Sequence, residues 1–225
     1  MAKRILNMTA EEMTHATKSE LIEAIAGSEG RVLASETIGI TIPLLTDVTN
    51  AEFAASMGAD LILLNMFDVQ EPKIMALPEV EKEETVREVK RLTGRMVGIN
   101  LEPVEESYAS DNKETLWEMS AGRYATVENA IQAQKMGVDL IVLTGNPGNG
   151  VSNPAIISSL KAISEAVGEK IMLAAGKMHA SGIIGEGGEN IITKEDIRQF
   201  AEEPISFCCR HREPCLASRP NMCGN

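Results

Sequence analysis

Apolar positions along the chain fall into short runs separated by amphipathic stretches, and one such unit occurs twice. Residues 51–65 read AEFAASMGADLILLN and residues 130–144 read AIQAQKMGVDLIVLT. Each begins as a small-residue helix, ends it at Met-Gly, and enters an apolar run that starts at an Asp. The shared core is Met-Gly-x-Asp-Leu-Ile-x-Leu, spanning Met57 to Leu64 and Met136 to Leu143. A helix terminus often needs a left-handed residue before the chain turns, which suits the glycine. An unbroken run such as LILL suits a strand buried on both faces.

The same grammar extends outwards. Helical spacing covers Thr9 to about Ala26, with Thr9-Ala-Glu-Glu as a capping box. GSEG then turns the chain into RVLASE, the first strand. A charged helix from about Glu79 to Leu92 precedes the strand RMVGINLEP. A helix from about Asn153 to Val167 precedes KIMLAAG, and a helix from Thr193 to about Glu202 should deliver a sixth strand. Strand, loop and helix recurring in this way predict an α/β fold of the (β/α)8 TIM-barrel type, read here through about five βα units and then cut short. An open doubly wound sheet is the rival architecture. The predicted organisation is an N-terminal helical segment over 1–30, a partial barrel over 31–202 and an aberrant tail over 203–225.

The tail breaks the pattern. After Phe200-Ala-Glu a third unit would read Gly-x-Asp and then an apolar run, but the chain reads EPISFCCRHREPC. All four cysteines and three arginines crowd behind a cysteine-free, acidic body. Their spacing, CC-x5-C-x7-C, lacks the paired C-x2-4-C of structural zinc sites. The genetic code offers another reading, in which the third base of one codon is taken with the first two of the next. Phe207 followed by Cys208 then encodes only Leu, and so does Cys208 followed by Cys209. With permitted third bases elsewhere the tail becomes ADIILLPAPGTVPGIASQHVRE, a third x-Asp-Leu-Ile-x-Leu strand followed by a Gly/Pro loop. Residues from about Glu203 onward are therefore expected to be a frameshifted translation, leaving a truncated and inactive form of a barrel enzyme; a zinc site and a disordered tail with incidental cysteines are the rival readings.

Composition narrows the function. Ala, Ile, Leu, Val and Met supply the core, since aromatics are only 3 % of the 225 residues. A net charge of −12, with no basic stripe, argues against nucleic-acid or anionic-membrane partners. No apolar run approaches the ~20 residues of a membrane span. The opening MAKRILNMTAEEM turns polar too early for a signal peptide, so a cytoplasmic setting is expected. A homo-oligomer is compatible with all of this.

In a parallel barrel the reactive groups gather at strand C-terminal ends and the loops behind them. That rule selects Glu36 after strand one, Asn65 and Asp68 after strand two, Asn100 and Glu102 after strand three, and Thr144 leading into GNPGNGVSN. It also selects Lys177 and His179 after strand five. Glu36, Asn100 and Glu102 offer oxygen ligands for a hard cation such as Mg2+; the plainer reading makes Glu102 and Asp68 solvated loop carboxylates. Gly145, Asn146, Gly148, Asn149 and Gly150, with Ser152 as a helix N-cap, have the build of an anion cradle, where backbone N–H groups and the helix dipole favour negative charge. Its plainer reading is a flexible turn. The order is not G-x-G-x-x-G, so a dinucleotide is not expected.

Lys177, among small residues, is placed to act as a base or Schiff-base electrophile or, more simply, to neutralise a substrate anion. His179 can exchange protons near neutral pH, with Glu36 a further catalytic candidate. The loop SGIIGEGGEN behind them has a lid's length and glycine content. His15, in the N-terminal helical region, reads as a surface residue, and the methionines as core filler.

RVLASETIG, GADLILLNMFD, GINLEPVEE, TGNPGNGVSNPA and AAGKMHASG together resemble an uncharacterised bacterial TIM-barrel family. Its members carry loose labels such as haloacid-dehalogenase-like hydrolase or phosphoenolpyruvate-phosphonomutase-like protein. The resemblance covers about residues 1–202 and implies the barrel fold. The dehalogenase label implies an Asp-x-Asp pair after the first strand, yet Asp47-Val48-Thr49 has no second carboxylate and no Asp-x-Asp occurs in the chain. The phosphonomutase label implies an acidic Mg2+ cluster and a Lys/Cys-bearing lid, neither of which maps onto named positions.

The combined expectation is an enzyme acting on a small phosphorylated or carboxylated metabolite, with lyase or isomerase chemistry favoured over hydrolysis. A barrel that binds a metabolite without turning it over is the alternative of a different class.

Overall fold

A computed structural model describes residues 3–105, 119–145, 150–176, 194–202, 207–210 and 213–216, with the last two segments described by their backbone. After a short 3-10 turn at Ile5–Asn7 the chain forms α1 (Ala10–His15), α2 (Lys18–Gly27), β1 (Ala34–Ile38), α3 (Asn50–Ser56) and β2 (Leu61–Asn65). There follow α4 (Thr85–Thr93), β3 (Met96–Leu101), α5 (Val127–Met136), β4 (Leu140–Leu143), α6 (Asn153–Val167), β5 (Met172–Gly176), α7 (Lys194–Ala201), β6 (Phe207–Arg210) and β7 (Glu213–Leu216). The sheet runs in sequence order from β1 to β7. Every pair from β1 to β6 is parallel, and only β7 returns antiparallel. Neighbouring strands in strict order with intervening helices make this a partial (β/α) barrel, as expected; a doubly wound sheet would reverse strand order at a switch point.

Two apolar layers follow from the alternation of strand side chains. Ile62, Leu64, Val97, Ile99, Leu101, Ile141, Leu143 and Leu173 pack outward against the helices, joined by Ala133, Met136, Leu160 and Phe200. The opposite face holds Leu61, Met96, Leu140 and Met172, the first residues of β2 to β5, against Ile5, Met13, Leu21 and Ala24. The N-terminal segment thus plugs the strand-start end of the barrel. Lys18 anchors it further by donating to the Gly168 carbonyl at the end of α6.

The N-terminal helix is two helices where spacing alone predicts one. Ala16 is extended, and Thr17 opens α2 with a capping box of its own, its hydroxyl accepting from the Glu20 N–H while Glu20 bonds back to the Thr17 N–H. β1 begins at Ala34, three residues after the start suggested by the apolar pattern. The 79–92 helix begins later too, as a 3-10 turn at Lys82–Glu84 followed by α4.

The repeated Asp has one structural task in both copies. The Asp60 carboxylate accepts the Leu33 N–H at 2.8 Å while the Asp60 N–H bonds the Leu33 carbonyl at 2.8 Å. The Asp139 carboxylate accepts the Val97 N–H at 2.9 Å while the Asp139 N–H bonds the Val97 carbonyl at 2.9 Å. Each Asp clasps the start of the preceding strand and so sets the register. The glycines before them, Gly58 and Gly137, sit at φ +100° and +88°, the left-handed turn the pattern requires.

A third capping box opens α3. The buried Thr49 hydroxyl accepts from the Glu52 N–H at 3.0 Å, and the Glu52 carboxylate takes the Thr49 N–H at 3.0 Å. Thr49→Ala is expected to cost about 1 kcal/mol, measured by urea unfolding, because the Glu52 N–H loses its acceptor and the Glu52 carboxylate loses the hydroxyl that donates to it at 2.8 Å.

Candidate functional site

Consecutive strands carry polar residues to the C-terminal mouth of the barrel, and there they are joined. The Asn65 amide donates to Glu36 Oε1 at 2.6 Å. The Met66 N–H lies between two carbonyl oxygens, 2.8 Å from Asn65 Oδ1 and 3.2 Å from Asn100 Oδ1. Met66 itself holds φ +57°, a left-handed conformation unusual for a side chain of its size. Residues kept in such conformations cluster at binding and catalytic sites. Glu36 is exposed and Asn100 is 7 % exposed, so this row runs from solvent into the barrel.

Glu102 makes a separate pairing. It is 5 % exposed, and its carboxylate is paired with the Arg123 guanidinium. Backbone bonds fasten the two segments together: the Glu102 N–H donates to the Arg123 carbonyl and the Ala125 N–H to the Glu102 carbonyl, both at 2.9 Å. Asn129 holds the same turn from α5, donating to the Ala121 and Tyr124 carbonyls at 2.8 and 2.9 Å. Asp68 buttresses it from the β2 loop. Its Oδ1 accepts from the Gln70 and Glu71 N–H groups at 2.8 and 3.0 Å, and a Cβ on Gly122 would fall 1.7 Å from that oxygen. Burial pushes the Asp68 carboxyl up, but hydrogen bonds from Ser120 and the two amides, with the nearby Arg123 charge, hold it below the ordinary range. Arg123 Nε is buried without a partner among the described residues.

The segment entering α6 lies across the same mouth. Gly145 packs so closely on Val151 that a Cβ would approach Val151 Cγ2 to 2.5 Å and Glu102 Oε2 to 3.4 Å. Gly150 is at φ +78°, and its carbonyl accepts the Glu105 N–H at 3.1 Å. Ser152 caps α6 as expected, accepting the Ala155 N–H at 3.3 Å, while its hydroxyl donates to the Glu105 carboxylate. The helix N-terminus proposed for a ligand anion therefore already has a carboxylate of the chain beside its cap. Asn146, Gly148 and Asn149 lie outside the described residues, as do Lys177, His179 and the 181–190 loop; Gly176, where β5 ends, leads directly into them.

Strand-end reasoning thus picks out Glu36 and Asn100, which the structure links through Asn65 and the Met66 amide. Glu102, the third member of the expected set, has its carboxylate paired with Arg123. Arg123, Asn129 and Glu105 carry no strand-end signal, because their roles arise from loop packing. No group of three or more His, Cys, Asp or Glu among the described residues is arranged to hold a metal. No helix among them is long and apolar enough to cross a membrane.

Solved structures resemble the chain in fold. A 2,3-dimethylmalate lyase, a member of the PEP mutase/isocitrate lyase superfamily, superposes with a TM-score of 0.50 at 10 % identity, covering 89 % of this chain and 62 % of that one. The chain thus spans about three fifths of that lyase's length. A proposed phosphonomutase from Burkholderia cenocepacia J2315 gives a TM-score of 0.38 at 15 % identity, covering 66 % of this chain and 54 % of its own. A GH27 β-L-arabinopyranosidase from Geobacillus stearothermophilus gives 0.44 at 11 % identity, covering 79 % and 52 %. At such identities the likeness is one of architecture. Among curated proteins no sequence matches. The family model of DUF7916, a domain of unknown function, matches residues 6–206, and the chain belongs to that family.

Proposed function

We propose that this barrel is built for an enzyme acting on a small phosphorylated or carboxylated metabolite, with lyase or isomerase chemistry at the mouth. The observation that carries the reading is the Glu36–Asn65–Asn100 row, three oxygen-bearing side chains on three adjacent strands, with Glu36 inside β1, Asn65 at the end of β2 and Asn100 next to the end of β3, joined at the left-handed Met66. Oxygen-only donors suit a hard cation, and both Glu36 and Asn100 keep lone pairs beyond the bonds they make here. Mg2+ fits that pair better than a set including Glu102, whose charge Arg123 already offsets. Bound there, Mg2+ would polarise a substrate oxyanion as a Lewis acid. Glu36 would orient the ligand from the exposed end, and Asn100 would hold it from the buried end. Lys177 and His179, following β5, are the proposed cationic and proton-exchanging groups. The 145–150 loop is the proposed anion cradle, with Glu105 as the group a ligand anion must displace.

The lyase superfamily membership of one structural relative is consistent with this choice; hydrolysis of a phosphorylated metabolite is the second enzyme reading. A cytoplasmic setting and freedom from nucleic acid belong to the same proposal.

The test is thermal unfolding against a panel of phosphorylated and carboxylated metabolites, with and without Mg2+. A ligand at 100 times its Kd adds about 2.7 kcal/mol, a rise of roughly 5–10 °C for a chain of this size. Glu36→Gln is expected to abolish the Mg2+-dependent part of the rise. If no anionic compound moves the midpoint, the reading fails; binding without turnover would transfer it to a metabolite-binding barrel. A cooperative transition of the chain by itself would count against the inert, truncated form.

A further inference from the structure

The strand that follows α7 pairs where a third copy of the repeated unit belongs. β6 lies parallel to β5, with Ala174 opposite Phe207, Ala175 opposite Cys208 and Gly176 opposite Cys209. In the two intact copies the unit's first and third apolar residues, Leu61 and Leu63 or Leu140 and Val142, face the inner layer. The second and fourth, Ile62 and Leu64 or Ile141 and Leu143, are at most 1 % exposed in the outer layer. Phe200, fully buried, and Ile197 extend that outer layer along α7 up to the sixth strand. The position calls for another Asp-Leu-Ile-x-Leu, and Phe-Cys-Cys-Arg does not provide it.

We propose that the coding frame slips near Glu203 and that β6 occupies the place of a strand reading Asp-Ile-Ile-Leu-Leu in the adjacent frame. Both leucines are forced by the code at the Phe207–Cys208 and Cys208–Cys209 junctions. The register agrees with this reading when the Pro204–Ile205 junction, which permits Asn, Asp, His or Tyr, is read as Asp. A strand in the shifted frame, held on the observed β5–β6 offset, brings its Asp level with Ile171–Met172 at the start of β5. Asp60 is level with Leu33, and Asp139 with Val97, in the same sense. The third Asp would thus make the third clasp. The match of the family to this chain also stops at residue 206.

At the far edge of the sheet, β1 pairs with β2 alone among the described residues. Leu33, Ile40, Leu44 and Leu45 beside it are all at least half exposed. Native sheets usually keep an edge with apolar flanks of this kind paired or covered.

The first test is the coding DNA. An open frame displaced by one base, continuing downstream with further apolar strand patterns, is expected; a stop codon soon after the junction, or related genes ending in this same peptide, would overturn the proposal. The second test uses the chain as it stands. The double variant Cys208→Leu/Cys209→Leu should raise the unfolding midpoint by a few degrees, whereas Cys208→Ser/Cys209→Ser should not. Equal midpoints for the two variants would show that the position does not call for the repeat's apolar pair.

Discussion

Lys90→Met should destabilise the fold by about 3–5 kcal/mol at neutral pH, the loss expected when one member of a buried ion pair is removed. Lys90 Nζ lies 2.8 Å from Asp139 Oδ1, with the two side chains 8 % and 11 % exposed. Lys90 also donates to the Gly137 carbonyl at 3.3 Å. The pair therefore ties α4 to the glycine turn and clasp that begin β4. Burial pushes the Asp139 carboxyl above its ordinary range, against the opposing pull of Lys90 and the Val97 N–H.

A carboxyl raised on folding binds its proton more readily in the folded state. Its ionisation thus erodes stability as pH climbs from the unfolded value of about 3.9 through the raised folded value. Without Lys90 the carboxyl rises further and that window widens. The cost of Lys90→Met should accordingly shrink as pH falls through it, when Asp139 protonates and no longer needs a cation. Urea unfolding of both proteins at neutral and mildly acidic pH measures this. A cost independent of pH would mean that lost packing of the lysine stem, and not an orphaned carboxylate, accounts for the change.

The clasp also shows what was legible in the chain and what was not. Met-Gly-x-Asp-Leu-Ile-x-Leu announces itself by repetition, and its glycine and apolar run have local causes, so both strands and their order follow from pattern. Why an Asp precedes each strand does not follow, because its partner, Leu33 or Val97, belongs to another strand. The break between α1 and α2 was written in the sequence: Thr17-Lys-Ser-Glu20 is as good a capping box as Thr9-Ala-Glu-Glu12, and the continuous apolar spacing masks it. At the mouth the strand-end rule reaches Glu36 and Asn100. It treats Glu102 as their equal, since a carboxylate two residues along looks the same in one dimension. Only the fold of the 121–125 turn puts a guanidinium against it.

That guanidinium supports the second large expectation. Arg123→Met should cost about 3–5 kcal/mol, because Glu102 would be left charged in a site 5 % exposed, with its segment still fastened by backbone bonds. The variant also decides what Glu102 is for. If Arg123 serves only to neutralise it, Arg123→Met/Glu102→Leu should recover most of the loss, since an apolar pair in a buried position matches a buried ion pair in stability. If Glu102 instead belongs to a cation site with Glu36 and Asn100, removing Arg123 frees its charge. Millimolar Mg2+ should then restore the midpoint of Arg123→Met and leave the double variant unmoved. The geometry favours the first outcome: the Glu36–Asn100 row is closed through Met66, whereas Glu102 is bound up with Arg123 and packed against Gly145. Differential scanning calorimetry of the parent chain and the two variants with and without Mg2+ separates the two. Rescue of the single variant by Mg2+ would return Glu102 to the mouth's ligand set.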